Sequence, residues 1–283
     1  MSEPPADLER LQRRLKREHQ ARQDAEAIAE RVTADLYATS RQLEHANEEL
    51  LRTNDEVQAA NQTMRDFVAV ASHDLRSPLT AILGFATALS QFWGQFDDAQ
   101  KLDFIASIQR QGENLAHIIE DLLTVSKIEA GALEVHPEVV RLRESIAAAT
   151  ETFQARLAEI EITAPPDLAA LVDRDHLRRI LVNFVGNALK YGVAPVAVEA
   201  RGHDEWVEIR VRDCGSGVPE EFRPRLFGRF ARSDAAKASS VAGTGLGLSI
   251  VRGLARANGG DVWYEPNVPH GSLFGVRLPA AAA

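Results

Sequence analysis

The chain has 283 residues, of which 45% are hydrophobic, and a formal charge of −9. It is therefore long enough for two compact units plus an extended segment, and its acidic balance argues against nucleic acid as a direct ligand. Cys214 is the only cysteine, which excludes an intrachain disulfide.

No uninterrupted apolar run approaches the length of a membrane span, and Ser2, Glu3, Pro4 and Pro5 stand where a basic and then apolar leader would be. Thr80, Thr87, Ser90 and Gln91 interrupt the nearest pretender, residues 79–93, which reads as a core helix. A cytoplasmic protein is expected.

From Leu8 a heptad pattern places Leu8, Leu11, Leu15, Glu18, Arg22, Ala25, Ala29, Val32, Leu36, Thr39, Leu43, Ala46, Leu50, Thr53, Val57, Ala60, Met64 and Phe67 at its a and d positions. After Ala25 only two threonines break the apolar seam. Sustained without Pro or Gly, this predicts a parallel coiled coil, a rod on the order of 85 Å long, and hence a homodimer. Small and polar core residues make the rod only moderately stable, which suits an element that shifts register or rotates as well as it suits a passive spacer. The rod begins almost at residue one and leaves no room for a sensor domain. Either a partner delivers a stimulus to it, or the chain is cut from something larger.

The same register runs into Ala71-Ser72-His73-Asp74-Leu75-Arg76-Ser77-Pro78 and turns His73 away from the seam. A carboxylate at Asp74 that accepts the Nδ1 proton leaves Nε2 as a free nucleophile. Phe104, Ile105, Ile108, Leu115, Ile118, Ile119, Leu122 and Val125 then trace a second amphipathic helix that ends near Gly131, with a loop at 93–98. Two such hairpins would form a four-helix bundle.

Beyond residue 133, β-like runs at 133–135, 159–163, 196–200, 207–211, 261–264 and 272–278 alternate with helices, an α/β sandwich pattern. Leu177, Ile180, Leu181, Phe184, Val185 and Leu189 line one face of a helix that also carries Asn183 and Asn187. The amide oxygen of Asn187 is a hard ligand suited to Mg²⁺, and Lys190 can neutralise phosphate charge. Tyr191 closes that run. Asp213 ends a strand before Gly215 and Gly217, whose missing side chains let the backbone approach a base. Gly243, Thr244, Gly245, Leu246, Gly247 and Leu248 open a helix whose free amides would face phosphates.

In order and spacing these blocks resemble the H, N, G1, F and G2 boxes of the sensor histidine kinase family, over about residues 62–280. The resemblance implies an α+β multi-domain chain: a coiled-coil signalling helix (1–64), a dimerisation and histidine-phosphotransfer hairpin (65–132) and an ATP-binding catalytic domain (133–283). It implies that Asp213 accepts the adenine amine, that a small buried side chain suits Cys214 beside it, and that 219–242 forms a lid anchored by Phe227 and Phe230. Arg229 and Arg232 are weaker phosphate candidates. It further implies ATP-dependent phosphorylation of His73, transfer to an aspartate of a response regulator, and ATP with Mg²⁺ at the site. The family most often has Glu after the histidine and Thr or Asn four residues beyond it. Here Asp74 is a shorter base, and Ser77 leaves phosphatase activity open. The competing reading is an ATP-binding dimeric scaffold that transfers no phosphate.

Overall fold

In the computed structural model the described residues are 6–231 and 244–281, and they divide into two units, residues 1–66 and 67–283. Gly243, Arg232 and the later part of the expected lid lie outside the described residues. One continuous helix, α1 (Ala6–Phe92), carries both the heptad segment and His73. It contains no glycine before Gly84, and residues with good helix propensity dominate it. Its seam residues Leu36, Leu43, Leu50 and Val57 are each more than half exposed within the single chain. An apolar stripe of that length left in water is what a coiled-coil partner covers. No helix among the described residues is long and apolar enough to cross a membrane.

The second unit begins with the hairpin. A short turn leads from α1 to α2 (Asp98–Glu129), whose start is fixed by a reciprocal capping box. The Asp97 carboxylate accepts from the Gln100 backbone N–H (2.7 Å), and the Gln100 side chain accepts from the Asp97 N–H (3.1 Å). Phe104 packs against the tilted ring of Phe85 (5.5 Å between centroids), which pins the antiparallel register of the two helices, and meets Phe96 of the turn edge-on (4.9 Å).

The remainder is the expected sandwich. The elements are β1 (Glu138–Arg141), α3 (Leu142–Glu151), β2 (Ile160–Thr163), β3 (Ala169–Val172), α4 (Arg174–Tyr191), β4 (Val196–Gly202), β5 (Trp206–Arg212), α5 (Gly247–Ala257), β6 (Asp261–Pro266) and β7 (Ser272–Pro279). A five-stranded sheet runs β2-β4-β5-β7-β6, with β2 parallel to β4 and the other pairs antiparallel. A separate ribbon pairs β1 with β3.

Two expectations need correction here. Residues 133–135 form no strand, because Leu133 packs against the hydrophobic core as part of the connection out of the hairpin. The strand lies later, at β1, and its partner β3 was not expected, since a four-residue Ala-Ala-Leu-Val run carries too little periodicity to register.

Alternate residues of β4, β5 and β7 (Val196, Val198, Val207, Ile209, Val211, Val276, Leu278) meet Phe184, Leu181 and Leu177 of α4 and Ile250 and Leu254 of α5 in one core. The opposite face is polar and laddered. Arg210 lies 5.8 Å from the Trp263 ring, Arg277 lies 5.5 Å from Trp206, and Glu199 pairs with Arg201 and Arg212.

Candidate nucleotide and phosphoacceptor site

His73 is held one residue from its partner. Its Nδ1 lies 3.1 Å from Asp74 Oδ1, and the imidazole is 82% exposed while Asp74 is mostly covered. An ionised carboxylate can only accept, so the proton sits on Nδ1 and the Nε2 lone pair faces outward. Ser77 follows four residues later on the same exposed face, and Pro78 beyond it is buried.

The other motifs converge at the ends of α4 and α5. Asp173 caps α4, its Oδ1 accepting from the backbone N–H groups of Asp175 and His176 at 3.0 and 3.1 Å. Asn183 and Asn187 then fall on successive turns. The Asn183 Nδ2 donates to the Arg179 carbonyl (3.4 Å), and its Oδ1 is pressed against Gly247, the first residue of α5. Asn187 is half-buried, and its carboxamide has no hydrogen-bond partner among the described residues. Such a group is suited to a ligand or metal. Lys190 Nζ lies 5.1 Å over the exposed Tyr191 ring, at the C-terminal end of the helix.

Asp213 is buried, with its Oδ1 accepting from Gly215 N–H (2.8 Å) and Ser272 N–H (3.3 Å). Burial raises its pKa, and those donors only partly offset the effect. Cys214, expected to be buried, is half-exposed, because its backbone N–H is drawn to the Val193 carbonyl at the rim of the turn. A β-carbon on Gly215 would stand 2.8 Å from Gly192 Cα, so the turn carrying Asp213 is closed directly onto the end of α4.

At the start of α5, Gly245 takes φ +69 and lies against the backbone of Phe230, itself at φ +55. Any side chain at 245 would be strained and would collide with that residue. The Leu246 N–H donates to Thr244 Oγ1 (3.2 Å), Leu246 is buried, and Leu248 packs on the core. Phe227 and Phe230 also pack on the core, while Arg229 is drawn to Glu129 of α2 instead of pointing at the cradle. Gly217 completes the Asp213 turn, where Val218 N–H donates to the Tyr264 hydroxyl at 3.1 Å.

The structure therefore sets Gly247 against Asn183 and the Asp213–Gly215 turn against Gly192 at the end of α4, the helix that also carries Asn187 and Lys190, and it brings His73 into bonding contact with none of them. The only bonded partner of the His73 ring among the described residues is Asp74. Motif reading missed Ser272, Tyr264 and Asn267, whose amide donates to the Asp213 carbonyl (2.9 Å), because each acts from a distant strand or loop with no local signature. It also missed Arg179 of α4, which reaches α2 through Asp121 Oδ1 and Thr124 Oγ1, both at 2.6 Å. Burial pushes the Asp121 carboxyl up even with Arg179 beside it.

The cradle fits a nucleoside triphosphate with its cation. It offers a buried carboxylate beside a turn closed on glycine, a carboxamide with no partner among the described residues one turn from a second one, and a helix that starts on glycine. Residues 63–131 match the His Kinase A (phospho-acceptor) domain, and residues 172–282 match the histidine kinase-, DNA gyrase B- and HSP90-like ATPase family. The chain belongs to the sensor histidine kinase family. Among its relatives, the sensory/regulatory protein RpfC of Xanthomonas campestris is 33% identical over 82% of this chain and 33% of its own. The circadian input-output histidine kinase CikA of Synechococcus elongatus is 34% identical over 78% of this chain and 31% of its own. The crystal structure of full-length ShkA in complex with AMPPNP is similar at 31% identity and a TM-score of 0.56, over 77% of this chain and 46% of that one. This histidine kinase chain thus spans only about a third of the curated relatives it matches.

Proposed function

We infer that the chain is a cytoplasmic, homodimeric, ATP-dependent protein-histidine kinase that phosphorylates itself on His73 and passes the phosphoryl group to an aspartate of a response regulator. A hairpin (65–132) presents the acceptor and a catalytic domain (133–283) binds ATP. The N-terminal rod (1–64) pairs two copies and takes its input from a sensory partner. The observation that carries this reading is the pairing, in one chain, of an outward-facing histidine held by a carboxylate with a cradle suited to ATP.

The chemistry follows from those residues. The Nε2 lone pair of His73 attacks the γ-phosphorus, the bond from phosphorus to the bridging oxygen breaks, and ADP leaves. Asp74 accepts the Nδ1–H bond, stabilises the positive charge that develops on the ring and takes that proton, leaving the ring of the phosphohistidine neutral. Asp213 orients adenine through its exocyclic amine, and Lys190 and the α5 amides meet the phosphate charge. Asn187 would hold Mg²⁺, which would supply positive charge against the phosphates. Catalysis of this kind rests mainly on positioning and electrostatics. Ser77 stands one turn beyond His73 in place of the Thr or Asn that would orient water in a phosphatase reaction, so that activity stays open.

The test is incubation with γ-labelled ATP and Mg²⁺. Label on the wild type that is lost in acid, kept in alkali and missing from His73→Gln is expected. A wild type that binds ATP yet never labels would favour the dimeric scaffold.

A further inference from the structure

The loop that carries Asp213 has little local structure to hold it. Asp213-Cys214-Gly215-Ser216-Gly217-Val218-Pro219 connects β5 to a 3₁₀ turn at Glu220–Arg225. Two glycines widen its conformational range, one of them at φ +74, and the proline has no N–H to anchor it. Contacts from outside the loop hold it instead. At its first end the Asp213 N–H donates to the Ser272 carbonyl (3.0 Å), and the Asn267 amide donates to the Asp213 carbonyl (2.9 Å). At its far end Val218 is gripped through both backbone groups. Its N–H donates to the Tyr264 hydroxyl and its carbonyl accepts from Arg223 Nε, each at 3.1 Å.

The two residues that grip Val218 also hold each other. The Arg223 guanidinium carbon lies 5.8 Å from the centre of the Tyr264 ring, within cation–π reach. That ring packs 5.4 Å from Phe274, which lies 5.7 Å from Phe184 of α4, the helix that carries Asn183 and Asn187. Alternation along β6 turns Trp263 to the opposite face, across Gly275, and leaves Tyr264 packed on the core. A β-carbon on Gly217 would stand 3.0 Å from the Gly271 carbonyl oxygen and 3.7 Å from the Tyr264 hydroxyl, so the loop lies directly on the β6–β7 hairpin. One hairpin thus meets both ends of the segment whose carboxylate is assigned to adenine. Neither Tyr264 nor Arg223 belongs to the asparagine or glycine motifs.

Resting on the kinase reading above, we propose that Tyr264 and Arg223 clasp Val218 and thereby hold the Asp213 loop in the shape that receives the base of the nucleotide. Both are positioning residues. With the clasp closed, the loop is ordered before the nucleotide arrives. With Val218 released, the nucleotide must order two glycines as it binds, and its affinity falls. The loss lies at the base end of the ligand, which ATP and ADP share. The γ-phosphate end, and with it the transfer step at saturating ATP, is untouched.

Tyr264→Phe in the full chain tests the clasp, because it deletes one hydroxyl and keeps the ring against Phe274. Calorimetric titration with Mg²⁺ and either ATP or ADP should show Kd raised roughly three- to tenfold, the worth of one neutral hydrogen bond, and by the same factor for both nucleotides. The KM of autophosphorylation should follow, with the labelling rate at saturating ATP within about twofold of wild type. Arg223→Ala should act in the same direction. Because the two side chains act as a unit, the double variant should lose less than the product of the single losses. An unchanged Kd in Tyr264→Phe, a loss confined to ATP, or single losses that multiply in full would overturn the clasp while leaving the kinase intact. A lowered melting temperature at unchanged Kd would make Tyr264 a structural residue only, and would overturn it equally. The binding arm needs no phosphotransfer, so a wild type that binds both nucleotides but never labels would overturn the kinase reading and leave the clasp decided by the Kd values. A wild type that binds neither nucleotide would overturn both.

Discussion

The carboxamide oxygen of Asn183 occupies the space that a β-carbon on Gly247 would need. Two residues 64 positions apart therefore hold the start of α5 against the middle of α4, with no room for a methyl group between them. Gly247→Ala should push the Asn183 amide off its Arg179 carbonyl and tilt the first turn of α5. Alanine is otherwise the better helix former, so the cost of overpacking, about 1–3 kcal/mol, is partly offset. We expect ATP affinity to fall at least tenfold while the melting temperature drops by only a few degrees. Titration calorimetry with Mg²⁺ and ATP gives the first quantity. Unchanged affinity would mean that the phosphates do not lie at this helix start.

Asp74 is held responsible for the tautomer of His73, and the two substitutions at that residue separate its roles. Asp74→Asn can donate to Nδ1, which would place the proton on Nε2 and block attack. Loss of a positioned base typically costs about 10²–10⁴-fold, and a loss in that range is expected in the autophosphorylation rate. The KM for ATP should not move, since the pair lies on the hairpin. Asp74→Glu keeps the acceptor and should stay within about tenfold of wild type. Single-turnover labelling of the three proteins decides it, and an Asp74→Asn enzyme at wild-type speed would remove Asp74 from the mechanism.

Asp213 predicts a pH dependence of nucleotide binding. Burial raises its pKa above the usual 3.8, with the Gly215 and Ser272 N–H groups pulling the other way. Only the ionised form accepts the adenine amine without carrying a competing proton. ATP affinity should therefore begin to fall, as pH is lowered, at a higher pH than an exposed aspartate would give. The effect on folding has the opposite sign. A carboxyl whose folded pKa is raised favours the native state most when protonated, so its contribution to stability is lost as pH rises through the folded value. Asp213→Asn preserves the two N–H acceptor contacts in shape, should bind ATP at least tenfold more weakly at neutral pH, and should show no acid limb. A matching acid limb in wild type and variant would assign the titration elsewhere.

What could be read from the sequence was whatever has a short period or a short motif. The a and d seam, the His73–Asp74 step, the Asn183–Asn187 spacing and the glycine turns each announce a local geometry, and the structure realises each where it is described. The family matches cover residues 63–131 and 172–282, the stretches that carry these motifs. Contacts between distant segments were illegible. Nothing about Ser272 says that its N–H will meet Asp213, and nothing in α4 says that Arg179 will find Asp121, because both depend on how the helices pack. The β1–β3 ribbon failed to register for a related reason: four-residue strands are defined by their pairing, and pairing is a tertiary fact.

A second long-range knot ties the exit of the hairpin to the ATPase core and makes a prediction about stability. The Asn258 Oδ1 accepts from Asp173 N–H (2.8 Å), and its Nδ2 donates to the Leu254 carbonyl (2.8 Å) and lies 3.1 Å from His176 Nδ1. Asp173 Oδ2 accepts from His136 N–H at 3.0 Å. Asn258→Ala leaves a buried N–H unpaired and should cost about 1–3 kcal/mol. The same knot sets an acid limit. Burial lowers the His176 pKa from 6.5, more than the Asp173 and Asp175 carboxylates raise it. The unfolded chain then takes up that proton first, and stability falls as pH drops below 6.5 until the folded ring protonates as well. For Asp173, burial pushes upward but the His136, His176 and Asp175 donors outweigh it, leaving a pKa below 3.8. Its contribution is therefore complete above that value and is lost at lower pH. Denaturant unfolding of wild type and His176→Gln from pH 8 to about pH 2 separates the two groups. The variant should lose the upper part of the decline and keep the lower, and parallel curves over the whole range would show that His176 does not couple folding to pH.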